Sequence, residues 1–317
     1  MNKMSFFKAY LKSMRPYTFF ITGLAGLIGM LLVNSQVSLL QKFTVLLLLF
    51  LSYGINQVIN DLIGIKEDRI NAPKRPSVSG ELNRRGAILT TGIIFLFGAA
   101  LTYLFNPYAL IIYFLGYAAN FIYEYLKRIP LLGNLWFGLM IALTPIYGAL
   151  AITNLTLIDV LGNINLLSAS ILIALSSSTL CYFTYFKDYL GDKQENIKTL
   201  IVLFSHRPSK YLNFLIGLIP FFFLLVLFCF KIWTLSYNSI FLVIILIAFG
   251  LAQYTSYLYC KDIKDNRSTL ELNFETTILL ETSVIALINP MLSLILAILS
   301  FLSIEIIFNI MYKKEMY

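Results

Sequence analysis

Three observations predict an all-α integral membrane protein. Hydrophobic residues make up 59% of the chain against 13% charged, the mean hydropathy is +0.80, and the apolar residues gather into runs of about 20, the length of a membrane-spanning helix. Ordinary soluble composition lies well away from this balance.

Uncharged stretches place nine spans in order at 17–33, 43–63, 86–105, 108–125, 135–152, 166–186, 212–230, 240–259 and 276–288. A further run at 291–312 follows Asn289-Pro290. Proline lacks a backbone donor and disfavours helix in the residue before it, so this pair reads as a tight turn into a tenth helix.

The basic residues test the layout independently, because Lys and Arg accumulate in cytoplasmic loops. With the N-terminus inside, alternate loops collect Lys3 to Arg15, Lys66 to Arg85, Lys127 and Arg128, Lys187 to Lys210, Lys261 to Arg267, and Lys313 with Lys314. These hold 22 of the 24 basic residues and leave only Lys42 and Lys231 outside. The tenth helix is needed to bring the last lysine pair inside. A net charge of +8 is thus what membrane topology requires, and no nucleic-acid partner is expected. Cys181, Cys229 and Cys260 stand singly without metal-ligand spacing and are expected to be reduced and inert. The first apolar stretch outruns a signal core and lacks a small-residue cleavage pattern, so it is expected to stay as the first helix.

The acidic residues are placed as membrane insertion alone does not require. One cluster runs from Asn56 through Asn60, Asp61, Gly64, Glu67 and Asp68 at the inner end of the second span. On a continuous helix Asn56, Asn60, Asp61 and Asp68 share a face, and Glu67 points about 100° away from Asp68. The other cluster is Lys187-Asp188-Tyr189-Leu190-Gly191-Asp192 at the inner end of the sixth span, with carboxylates at i and i+4. Both sit at the same depth. Magnesium is often held by one or two carboxylates together with substrate phosphate oxygens, so two facing clusters suit ions that clamp a diphosphate. Arg69, Lys74, Arg75, Lys127 and Lys187 would neutralise its remaining charge. The alternative is that these charges pair with one another at a solvated membrane edge.

The segment from Asn60 to Pro76 resembles the signature of the UbiA superfamily of intramembrane prenyltransferases. An Asn-Asp motif is followed by Asn-x-Pro-x-Arg-Pro, matched at Asn71, Pro73, Arg75 and Pro76, with Ser79-Gly80 beyond. Arg15-Pro16, Tyr123-x-x-x-Lys127 with Arg128 and Pro130, and Lys187-Asp188 through Gly191-Asp192 to Lys198-Thr199-Leu200 agree in order and topology. The resemblance implies a nine-helix bundle around a central cavity over residues 1–290, a lateral opening to the bilayer, and an additional C-terminal helix with a short basic tail over 291–317.

It also implies Mg2+-dependent prenyl transfer from a prenyl diphosphate to an aromatic or other small hydrophobic acceptor. Ionisation of the allylic diphosphate would be followed by capture of the cation. Asn60, Asp61, Asp68, Asp188 and Asp192 would organise the metal, with the four aspartates catalytic. Arg69, Arg75, Tyr123, Lys127 and Lys187 would bind diphosphate. Two departures stand out: Gly64 and Tyr185 occupy positions where the family patterns have Asp.

Most of the 26 Phe and 20 Tyr serve helix packing and interfacial anchoring, although rings lining the cavity would stabilise a cation and exclude water. His206 reads as a loop residue. Glu275 and Glu281 lie in the ninth span, where carboxylates usually face a cavity or partner, so Glu281 is a candidate for the acceptor site. A membrane terpene cyclase of the same fold, and a transporter or scaffold, remain alternatives. The active site is expected near the cytoplasmic face of a bacterial or archaeal membrane. The acceptor and prenyl chain length are not written in any residue.

Overall fold

The computed structural model describes residues 5–204, 210–233, 238–261 and 267–316. Two short helices open it. α1 (Phe6–Met14) is separated by a 3-10 turn, Pro16–Thr18, from α2 (Phe19–Leu31). The break comes at Arg15, whose backbone is left-handed at φ 51° and ψ 68°. A residue before proline cannot readily continue an α-helix.

The remaining chain runs through α3 (Leu39–Ile63), α4 (Ile65–Asn71), α5 (Pro76–Ser79), α6 (Arg84–Phe105), α7 (Pro107–Leu126), α8 (Leu132–Ala151), α9 (Leu157–Leu161) and α10 (Ile164–Gln194). α11 (Leu200–Leu203), α12 (Lys210–Cys229), α13 (Ser239–Lys261), α14 (Arg267–Ala286) and α15 (Pro290–Met316) complete it. Ser38, Asn83, Asn106, Thr156, Asn163 and Thr199 each accept a backbone N–H at a helix start, satisfying donors that would otherwise be orphaned.

Among the described residues nine helical stretches are long and apolar enough to cross a membrane: 6–31, 39–63, 84–105, 107–126, 132–151, 164–194, 211–229, 239–260 and 290–311. The long helix outside this set is α14. It starts earlier than the predicted 276–288 stretch and carries Glu271, Asn273, Glu275 and Glu281. From Thr269 onward most of it is buried, because it packs against α2, α10 and α13 within the bundle while α15 folds back along it. Asn289 caps α15 through Leu292 N, 3.0 Å from its Oδ1, so the Asn-Pro turn forms where the sequence predicts it.

Close helix contacts use small residues, as is usual in membranes. α2 and α8 approach until a side chain at Gly29 would collide with the carbonyl of Pro145, and one at Gly148 with the carbonyl of Gly26. Prolines inside helices leave carbonyls unpaired, and side chains answer them. Thr144 donates to Ile141 O at 2.7 Å, four residues before Pro145. Thr179 of α10 donates to Ile216 O at 3.4 Å, four residues before Pro220 of α12.

The largest buried cluster joins α2, α8, α10 and α14, with Ile21, Leu24, Ile28, Leu172, Ile173, Leu180, Ile278 and Ile285 nearly inaccessible. One end of this core opens into a polar cavity.

Candidate active site

The cavity is lined from α3, α4, α7, α10 and the turn after α1, with α14 closing one side. Its polar mouth brings together Asn60, Asp61, Asp68, Arg75, Tyr123, Lys127, Lys187, Asp188 and Asp192. Both acidic clusters therefore face one space, as their matching depth predicts. The structure does not bring in Arg69, which is exposed and absent from the lining. Glu281 is also outside the lining. It lies within α14 at 1% exposure with neither carboxylate oxygen partnered. His206 falls outside the described residues.

The first cluster departs from a continuous helix. α3 ends at Ile63, Gly64 serves as its C-cap and as the N-cap of α4, and the chain restarts at Ile65. Glycine is a poor helix former by about 1 kcal/mol relative to alanine because its backbone loses the most conformational freedom on becoming helical, which favours a break here. Within α4 Glu67 and Asp68 are both buried, at 7% and 8% exposure. The 100° separation expected of a continuous helix does not keep Glu67 out of the cavity, which it lines.

Five carboxylates of the mouth, Asp61, Glu67, Asp68, Glu124 and Asp188, are each met by a cation. Arg15 binds Asp61 and Gln57, and Arg75 binds Asp68, with its Nη1 also 3.7 Å from Asp61. Lys127 lies 2.6 Å from Glu124 and 4.0 Å from Glu67. Lys187 stands 3.5 Å from Asp188. Burial opposes charge on Arg75, but Asp68, Asp61 and Asp188 together hold its pKa above the ordinary arginine value. Lys127 follows the same pattern: burial lowers its pKa, and Glu124, Glu67 and Asp192 raise it further, leaving it above the lysine range. The Nε of Arg75 is buried without a hydrogen-bond partner.

The two clusters are tied directly. Asn71, at the end of α4, accepts the backbone N–H of Gly191 on α10 at 2.8 Å. A side chain at Gly191 would run into the Asn71 amide. This explains why the Asn of the Asn-x-Pro-x-Arg-Pro motif and the glycine of the second cluster occur in one chain. Pro76 then starts α5 at its first position, where no amide donor is required.

Sequence reasoning gave several lining residues no role in the site. Arg15 and Gln57 are among them, as are Glu124 and Asn71. Arg15-Pro16 was visible as a motif, and the helix break that proline forces is the signal for its placement. Cys181, a free cysteine, lines the cavity, 3.6 Å from the Tyr123 hydroxyl. Tyr185, where the family pattern has Asp, holds its hydroxyl 3.2 Å from that of Tyr123 and also lines the space. Below the mouth the walls become aromatic, with Tyr53, Tyr123, Phe137 and Phe274. A second, mostly apolar pocket runs between α2, α3, α7 and α8, lined by Leu48, Leu49, Ile112, Met140 and Tyr147 among others.

Among the described residues no three acidic side chains stand close enough to close on one ion unaided. The donor set nonetheless fits magnesium, which takes one or two carboxylates plus phosphate oxygens and keeps several waters. The cations now paired with the carboxylates are of the kind that a diphosphate would attract.

Comparison with known proteins agrees with this architecture. The UbiA prenyltransferase family model matches residues 19–278. A digeranylgeranylglyceryl phosphate synthase from Pyrococcus abyssi is 28% identical over 214 residues, which cover 67% of this chain and 74% of that protein. The apo structure of a UbiA homologue from Aeropyrum pernix K1 superposes with a TM-score of 0.68 at 19% identity, covering 85% of this chain and 97% of that one. A UbiA homologue from Archaeoglobus fulgidus bound to DMAPP and Mg2+ gives 0.60 at 16% identity, covering 88% and 98%.

Proposed function

This chain belongs to the UbiA prenyltransferase family, and on that premise we infer that it transfers a prenyl group from a prenyl diphosphate to a glyceryl phosphate acceptor with Mg2+ as cofactor. The observation carrying the reading is the convergence of both acidic clusters and four cations, Arg15, Arg75, Lys127 and Lys187, on one polar mouth above an aromatic cavity. The sequence leaves aromatic acceptors open. The synthases it matches are named for a glyceryl phosphate product, and four cations at one mouth suit a diphosphate together with a second phosphate.

In this reading Asp61 and Asp68 from one side, and Asp188 and Asp192 from the other, hold Mg2+, with Asn60 beside them. Bound there, Mg2+ would stabilise the negative charge gathering on the departing diphosphate. Arg75 and Lys187 neutralise the remaining phosphate oxygens, Arg75 with an Nε still free to donate. Lys127 and Tyr123 add donors at the inner edge.

The bond that breaks is the allylic carbon to oxygen bond, its electron pair leaving with diphosphate. A bond then forms between that carbon and an acceptor oxygen, whose proton passes to the departing diphosphate. Tyr53, Tyr123, Phe137 and Phe274 line the cavity, where aromatic rings would stabilise the developing cation and keep water from capturing it. The apolar pocket along α3, α7 and α8 continues on the same helices away from the mouth and supports a place for the prenyl chain.

The loop charges support a cytoplasmic position for the mouth. The family match ending at 278 supports a core of residues 1–290 and an added helix over 291–317.

The test is product analysis by mass with purified protein in nanodiscs, Mg2+, prenyl diphosphates of several lengths, and prenylglyceryl phosphate or hydroxybenzoate as acceptor. An ether-linked product from the glyceryl phosphate, abolished in Asp61→Ala, Asp68→Ala and Asp192→Ala, is expected. Turnover in those variants equal to wild type would sink the assignment, and a hydrocarbon or alcohol formed without acceptor would make the protein a cyclase.

A further inference from the structure

The first acidic cluster has Gly64 where the family pattern places Asp, and the space beside that glycine is not empty. A β-carbon built on Gly64 would lie 3.7 Å from Lys127 Nζ and 3.9 Å from Glu124 Oε2. A carboxylate carried on residue 64 would therefore occupy the region in which the Glu124 carboxylate already stands. Glu124 comes from a different element, α7, and is buried at 5% exposure. It lines the same cavity as Asp61, Glu67 and Asp68.

One turn earlier on the same face of α7, Asn120 is wholly buried. Its Nδ2 donates to Asn60 Oδ1 at 2.9 Å, and its own Oδ1 has no partner. Helix α7 thus brings two oxygen-bearing side chains against the first cluster, at the point where that cluster lacks one. With no cation bound, Glu124 is neutralised by Lys127 at 2.6 Å, which can turn to a phosphate oxygen when a divalent ion takes its place.

We propose that Glu124 replaces the missing motif aspartate, so that the cation and diphosphate site is completed by a carboxylate from α7 with Asn120 as its neighbouring oxygen donor. The proposal rests on the Mg2+ and diphosphate reading above and names a ligand that the motifs do not contain. It accounts for how a cluster one carboxylate short keeps its charge.

The test is Mn2+ binding to the full-length protein in detergent, followed by electron paramagnetic resonance in the presence of inorganic diphosphate, with no turnover required. Glu124→Gln keeps the shape and a hydrogen bond to Lys127, and is expected to weaken Mn2+ binding at least tenfold. Gly64→Asp added to Glu124→Gln returns the carboxylate from the original position. Its β-carbon would lie 3.3 Å from Asn60 O, with its other neighbours at ordinary contact distance, and it is expected to restore affinity to within a few-fold of wild type. Wild-type affinity in Glu124→Gln, or no recovery in the double variant, overturns the proposal.

Asp68→Asn separates the two levels of the argument. If it retains wild-type Mn2+ binding, the clamp itself fails; if it loses binding while Glu124→Gln does not, only the role of Glu124 fails. Glu124→Asp, which retains the charge on a shorter stem, is the second variant should Glu124→Gln not fold, and is expected to lie between wild type and the Gln variant.

Discussion

Gly191→Ala would test whether the two acidic clusters are held in register by the Asn71 contact. The added β-carbon would lie 2.6 Å from Asn71 Cγ and 2.7 Å from its Oδ1. Comfortable contacts between such atoms are about 3.5–4.0 Å, so one partner must move by about 1 Å. Overpacking of this kind costs about 1–3 kcal/mol, and loss of the 2.8 Å bond from Gly191 N to Asn71 adds about 1 kcal/mol.

The expected destabilisation is therefore about 2–4 kcal/mol, read by thermal unfolding in detergent. Because α4 carries Asp68 and α10 carries Asp188 and Asp192, the same displacement moves the halves of the site apart. A misplacement near 1 Å can cost about 100-fold in rate, measurable as diphosphate release from prenyl diphosphate. The double variant Asn71→Ala/Gly191→Ala removes the clash and should be more stable than Gly191→Ala alone, a coupling of about 1–3 kcal/mol between contacting residues. Wild-type stability and turnover in Gly191→Ala, or strict additivity in the double variant, would refute the reasoning.

Chelation by EDTA should abolish prenyl transfer, with recovery on adding Mg2+ or Mn2+, assayed by product mass. Lys127 has a pKa raised above the ordinary lysine value, so its stabilising contribution is complete below about pH 10.4 and is lost as pH rises through the raised value. Melting temperatures of wild type and Lys127→Met should thus keep a constant offset from pH 7 to about 9 and converge above the lysine range. Tyr185→Phe removes the hydroxyl contact with Tyr123 at 3.2 Å and should cost about 0.5–1.5 kcal/mol by thermal unfolding, without abolishing Mn2+ binding.

The spans were legible because hydrophobic runs report lipid directly. The same hydropathy logic misjudged where α14 begins, since its first turns from Arg267 carry Glu271, Asn273 and Glu275, and the burial of Asn273 and Glu275 comes from neighbouring helices rather than from their own composition. Clusters on α3 and α10 were visible as carboxylates at helical spacing. The break at Gly64 was not, because a single glycine inside an apolar helix is often tolerated, and only the tertiary arrangement shows α4 restarting. Residues such as Glu124, on a helix distant in sequence, reach the site through packing, and no spacing rule brings position 124 beside position 64.

The concealment of α14 has a consequence for how the protein enters its membrane. Insertion of an acidic residue at the centre of a lone segment costs about 2.5–3.5 kcal/mol on translocon scales, and α14 holds Glu271, Glu275 and Glu281 together. Left by itself in lipid, this segment would be drawn back toward water. Its shelter includes α15, which is synthesised after it and packs along it. The shelter of its carboxylates, which α2, α10 and α13 begin, is thus completed only once the following helix has packed along it.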